Sequence, residues 1–180
     1  TQPRPGEARL SVPSMDDARH RWRPLPEVIP RLPPAWMRWI DDHGSLTERL
    51  VRKSRGDFRV EVVEEGWRRV FAASLVSVIG DDALGRVMWS RKVVLWGCGE
   101  PWVSAHTLIP CRSLRTPLKQ LKSLNAKPLG AFLFAHPELV RSGLDVARLR
   151  QGWGRRSLFH LYRKPILVAE YFLPSLLSRD

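Results

Sequence analysis

The chain has 180 residues, 43% of them apolar and eight of them tryptophan, which fits one packed domain able to enclose a small ligand and excludes a disordered chain. Thirty Lys and Arg against eighteen Asp and Glu give a net charge of +12, which favours an anionic partner: nucleic acid, a membrane surface or a small acidic metabolite. The two cysteines, Cys98 and Cys111, and the lack of an export leader favour a soluble protein of the reducing cytoplasm, and the weakly polar run at 70–80 is too short for the roughly 20 residues of a membrane helix.

Eight of the fifteen prolines and six arginines crowd the first 34 residues without periodicity, so residues 1–32 are expected to form a flexible arm. From Pro33 the pattern changes. Trp36, Trp39 and Ile40 recur at helical spacing behind a proline start, and Gly44 is the expected stop. SLTERL follows, with Ser45 and Glu48 at capping-box spacing and Leu46 and Leu50 on one helical face. The unpaired amide groups at this second helix start make the neighbourhood of Leu46 a possible anion cradle, although most such starts bind only water.

FRVEVVEEGW, at 58–67, alternates apolar and charged residues as a half-buried strand does. In RVMWSRKVVLWG, at 86–97, Val87, Trp89, Val93 and Leu95 share one phase with Arg91, so a guanidinium is aimed at an apolar face. GCGE turns the chain and PWVSAHTLIP returns as a hairpin partner, giving an antiparallel sheet. Between Pro117 and Leu149, LKQLKSL, PLGAFLF and ELVRSGLDVARL carry helical spacings, and WGRRS punctuates before strands at about 157–163 and 165–173. The expected fold is α+β, a single domain with no internal repeat.

LVAEYFLP, at 167–174, places Glu170 in phase with Val168 and Phe172, an expensive position for a charge. Arg91 and Glu170 are thus two charges in apolar strands. They either pair as a buried structural salt bridge or line a closed pocket, where Arg91 holds a carboxylate and Glu170 handles a hydroxyl or a proton.

SLTERL, VEEGW, SRKVVLWGCGEPWVSAHTLIP, KPLGAFLF, WGRRS and PILVAEYFLP, in this order, resemble the chorismate pyruvate-lyases of bacterial ubiquinone biosynthesis. The resemblance runs from about Pro33 to Leu176, setting a domain at 33–176 and a tail at 177–180. It implies a carbon-oxygen lyase that cleaves chorismate to 4-hydroxybenzoate and pyruvate without metal or organic cofactor. It further implies an antiparallel sheet whose helical flaps close over a buried pocket, in a monomer that binds no nucleic acid. The family's ligand-binding and catalytic arginine falls on Arg91 and its glutamate on Glu170, while two main-chain contacts fall on Leu46 and Leu129, where side-chain substitution should be tolerated. His106 stands where the family usually has arginine and is assigned no chemistry. Arg155 and Arg156 match WGRRS with no role beyond loop anchoring.

Two rivals stand beside this reading. The ligand-sensing domain of one large class of bacterial transcription regulators resembles the lyase fold, but the Pro-rich segment ahead of it cannot form a helix-turn-helix. A non-catalytic basic protein on membranes or nucleic acid would bind with strong salt dependence, yet the sequence carries no block of five like charges, zinc spacing or nucleic-acid signature.

Overall fold

A computed structural model describes residues 10–71, 75, 78–80 and 85–178. The expected α+β architecture is present as one seven-stranded sheet. Strands β2 (Phe58–Val70), β3 (Arg86–Gly97) and β4 (Glu100–Pro110) form one meander, and β5 (Val140–Leu149), β6 (Gly152–Leu161) and β7 (Lys164–Phe172) form another. The two join through β4 and β7, and the short β1 (Arg23–Pro24) lies on the edge of β5. The order is β1-β5-β6-β7-β4-β3-β2, antiparallel throughout. Two-residue turns close two hairpins, with both central residues at positive φ: Cys98 (52°) and Gly99 (76°), then Tyr162 (51°) and Arg163 (61°).

Alternation along the central strands gives the sheet two different faces. One carries Val93, Val103, Phe159, Val168 and Phe172, and it is covered by α1 (Leu25–Val28), α2 (Pro34–Ile40), α3 (Leu46–Ser54) and α4 (Leu129–Phe134). The other carries Met88, Leu108, Leu167, Ala169 and Tyr171. No helix among the described residues is long and apolar enough to cross a membrane.

Three expectations need correction. ELVRSGLDVARL contains strand β5, because Val140–Leu149 pairs with β6 from Val140↔His160 to Leu149↔Gly152. Gly143, at φ 60°, sits where that register shifts between Ser142 and Asp145, so the glycine that blurs the alternation marks a bulge. WGRRS is not punctuation but the first half of β6. A Cβ on Gly154 would come 2.8 Å from the Tyr171 ring, so this glycine permits a close cross-strand approach.

The third correction concerns the arm. From residue 10 onward it is packed: Leu25, Val28 and Leu32 join the helix-side core, and Met15 is fully buried on the opposite face with Trp22 beside Tyr171. Residues 1–9 lie outside the described residues. The Met15 amide donates to His106 Nδ1 at 2.9 Å, so the neutral ring keeps its proton on Nε2 and donates it to Ser90 Oγ, also 2.9 Å away. His106 is thus a buried brace between the sheet and the N-terminal segment.

Burial, reinforced by the Arg68 and Lys92 charges, depresses His106 from 6.5 to about 3. The unfolded chain binds this proton more readily than the folded one, so the contribution is complete above about pH 6.5 and is lost as pH falls toward 3. Urea titrations across that window are expected to show stability falling with acidification, with a shallower slope in His106→Gln.

Candidate active site

A pocket of about 630 Å³ of non-atom space, its mouth included, lies between the helices and the sheet. Arg91, Val93 and Leu95 of β3, Ala105 and Thr107 of β4, and Val168 and Glu170 of β7 contribute to its floor. The beginnings of α3 and α4 form its roof, through Leu46, Thr47, Leu129 and Gly130. Ser45 accepts the Glu48 amide at 3.3 Å, the forward half of the expected capping box. The two helix starts meet closely: a Cβ on Gly130 would come 2.5 Å from Thr47 Oγ1, so a larger residue there would force Thr47 to move.

Arg91 and Glu170 line this one pocket without being each other's partner. Arg91 is 3% exposed and donates to Glu65 Oε1 on β2 at 3.2 Å. Its Nη2 donates to the carbonyls of Asn125 (2.7 Å) and Lys127 (3.0 Å), fixing the segment that leads into α4. These bonds leave its Nε–H and one Nη1–H unspent.

Glu170 pairs with a residue that the sequence reading left without a role. Arg155 stands directly opposite it in the β6–β7 register and donates from Nε to Glu170 Oε2 at 2.5 Å. The same guanidinium, 1% exposed, reaches from Nη1 to the carbonyls of Trp39 (3.1 Å), Ile40 (3.2 Å) and Asp42 (2.8 Å). Glu170 Oε1 keeps no partner among the described residues, and the side chain retains 15% exposure. One oxygen is therefore bound into the fold and the other is available.

Arg141, on β5, is the third guanidinium at the pocket. Its Nε and Nη2 donate to Ser157 Oγ at 3.0 and 2.9 Å, and its Nη1 donates to the Asp42 carbonyl at 3.3 Å. Burial and the neighbouring Arg155 charge push it down to about 10, so it remains a cation at neutral pH. The Asp42 carbonyl accepts from both Arg141 and Arg155. Burial works to raise the Asp42 carboxyl, but the Gly44 amide (2.9 Å) and Arg49 (3.0 Å) outweigh it and hold the group below its usual range.

Leu46 and Leu129 both sit where the roof meets the pocket. Leu46 is also a core side chain, 5% exposed and clustered with Leu50, so substitution there costs stability whatever its main chain does. Arg155 was detectable in the sequence, since Trp153, Arg155, Ser157 and Phe159 alternate with Gly154, Arg156 and Leu158 as strand residues do. Arg141 was hidden by the helical reading of β5.

A sequence model described as chorismate lyase matches residues 18–180. The chain belongs to the chorismate lyase family. Among curated relatives, a probable chorismate pyruvate-lyase of Halorhodospira halophila is 37% identical over 172 residues, covering 85% of this chain and 89% of the relative. The chorismate pyruvate-lyase of Enterobacter sp. is 32% identical over 149 residues, covering 83% and 88%. A probable chorismate pyruvate-lyase of Pseudomonas putida is 32% identical over 178 residues, covering 93% and 95%. The chorismate lyase match begins at residue 18, so it takes in part of the segment read as an arm.

Among solved structures, PhnF from Mycobacterium smegmatis shares the fold with a TM-score of 0.54 at 15% identity, covering 76% of this chain and 67% of PhnF. The PhnF effector domain alone gives 0.52 at 17% identity, covering 73% and 90%. In this chorismate lyase family member, replacing Arg155 by Met leaves Glu170 and the end of α2 without their cation. Arg155→Met is expected to cost about 3–5 kcal/mol in urea unfolding, and Glu170→Gln in that background should recover part of it. Strictly additive losses would mean that the pair is not coupled.

Proposed function

We propose that this protein is a chorismate pyruvate-lyase, converting chorismate to 4-hydroxybenzoate and pyruvate. The observation that carries the reading is a pocket holding both Arg91 and Glu170, with unspent donors on the first and an unpartnered oxygen on the second. Chorismate bears a ring carboxylate and a ring hydroxyl at opposite ends, with an enolpyruvyl ether on the carbon next to the hydroxyl. A cation and an acceptor on separate strands of one pocket floor suit that pattern.

The reaction breaks the C–H bond on the hydroxyl-bearing carbon and the ether C–O bond of its neighbour. The ring electrons close an aromatic system, and the departing enolpyruvate takes a proton at carbon to become pyruvate. Aromatisation supplies the driving force, so the pocket's task is to hold a reactive conformer away from water and to place charge. Arg91 clamps the ring carboxylate with its Nε–H and free Nη1–H. Glu170 accepts the ring hydroxyl on Oε1 and stands beside the carbon that loses hydrogen. Main-chain groups at Leu46 and Leu129 close the pocket over the ligand. The same reading makes the protein a cytoplasmic, monomeric enzyme of ubiquinone biosynthesis that works without metal or organic cofactor.

Incubating purified protein with chorismate and following 4-hydroxybenzoate by absorbance, with and without a chelator, tests the proposal. Conversion unaffected by the chelator is expected. Arg91→Ala should lower kcat/KM by the equivalent of about 2–5 kcal/mol, with partial recovery in Arg91→Lys. Binding of chorismate without turnover would make the protein a sensor, and wild-type kinetics in folded Arg91→Ala would remove the clamp.

A further inference from the structure

Three guanidinium groups line the pocket, and two of them have carboxylate partners. Arg91 pairs with Glu65 and Arg155 with Glu170. Arg141 has none among the described residues. Its bonds go to the Ser157 hydroxyl and the Asp42 carbonyl, both neutral, and they leave one N–H on each terminal nitrogen unspent. The Glu170 and Asp42 carboxylates favour its charge only from a distance, and a half-buried guanidinium without a directly bonded counter-ion is costly to maintain in a folded protein. A bound anion lowers that cost.

The sheet register shows where such an anion would sit. Glu170 lies near the middle of the floor on β7. Arg91 is two strands away on one side, through β4 and β3, and Arg141 is two strands away on the other, through β6 and β5. Level with Glu170 on β3 and β5 stand Val93 and Val146. Arg91 is level with Val168 and Arg141 with Ile166, two and four residues along, so the arginine backbones lie roughly 12 and 16 Å from that of Glu170. Arg141 makes up part of that gap by reaching Ser157, which is level with Val168. Arg141 pairs with Phe159 and stacks over its ring at 5.1 Å, which keeps it on the pocket face.

We propose that Arg141 is the anchor for the second carboxylate of the substrate, the one on the enolpyruvyl group. This assignment rests on the chorismate reading above. With the ring carboxylate on Arg91 and the ring hydroxyl on Glu170, the enolpyruvyl ether projects from the carbon next to the hydroxyl, at the end of the pocket away from Arg91. Arg141 stands beyond Glu170 on that side. It grips the leaving group, sets the ether in the orientation for elimination, and receives pyruvate's carboxylate as the bond breaks. The product 4-hydroxybenzoate lacks this carboxylate, so Arg141 distinguishes substrate from product, whereas Arg91 holds both.

The test measures chorismate kinetics and 4-hydroxybenzoate affinity on the same proteins: wild type, Arg141→Gln, Arg141→Lys and Arg91→Ala. Both Arg141 variants should lose at least tenfold in kcat/KM for chorismate, with Lys less affected than Gln. Their dissociation constants for 4-hydroxybenzoate, from tryptophan fluorescence, should stay within about threefold of wild type, which also shows that the pocket is intact. Arg91→Ala should weaken both ligands. Unchanged chorismate kinetics in Arg141→Gln, or equal losses for substrate and product, would overturn the assignment. Failure of the wild type to convert chorismate would instead overturn the function on which it rests.

Discussion

The contact on which the remaining geometry depends is the buried pair between Arg155 and Glu170. An isolated carboxylate in the middle of an apolar strand would be too costly to hold, and a buried guanidinium is no cheaper. They sit opposite one another on β6 and β7, and the arginine's second terminus meets the carbonyls of Trp39 and Ile40 at the end of α2. Those carbonyls have no partner within their own helix, and a cation near a helix C-terminus is favoured by the dipole. One side chain therefore satisfies the helix end, neutralises the acid and ties the end of α2 to the sheet. Arg49 adds to this by packing 3.7 Å over the Trp39 ring while it bonds Asp42.

In the proposed reading this arrangement lets one acid serve both fold and site. Glu170 Oε2 is held by Arg155, Oε1 has no partner among the described residues, and the side chain lines a pocket that two further cations also line. The alternatives left open by the sequence, a structural ion pair or a ligand-binding acid, are not exclusive, because the structural partner is Arg155 rather than Arg91. The two faces of the sheet divide the remaining work. The helix-covered face carries the guanidinium groups of the pocket, while the opposite face is braced by Met15 and His106. PhnF shares this sheet architecture, but a fold of this kind does not by itself specify chemistry, and the charges in the pocket do.

Much of this was legible in the sequence, for identifiable reasons. Arg91 and Glu170 stood out because period-two alternation assigns a side chain to a face using a few neighbours only. The β3–β4 hairpin was marked by Cys98 and Gly99, whose turn conformation is encoded locally. Arg155 and Arg141 were missed because their meaning lies in pairing: no local pattern shows that β6 lies beside β7 or that Asp42 comes to rest over both arginines. Strand β5 was misread because Gly143 and the bulge at 142–145 break its alternation, leaving apolar residues at spacings that imitate a helix. The packed segment from residue 10 was misread for a related reason. Its prolines suppress periodicity, and only the tertiary structure shows that Met15 and Leu25 are core.

The measurement that bears most directly on this account is the affinity of the wild-type protein for 4-hydroxybenzoate against benzoate, by calorimetry at neutral pH. The two ligands share the carboxylate assigned to Arg91 and differ only in the hydroxyl assigned to Glu170. A hydrogen bond to a charged acceptor contributes about 1.5–3 kcal/mol, so 4-hydroxybenzoate should bind at least tenfold more tightly. Equal dissociation constants would contradict the account, because the free oxygen of Glu170 would then be making no contact with the ligand.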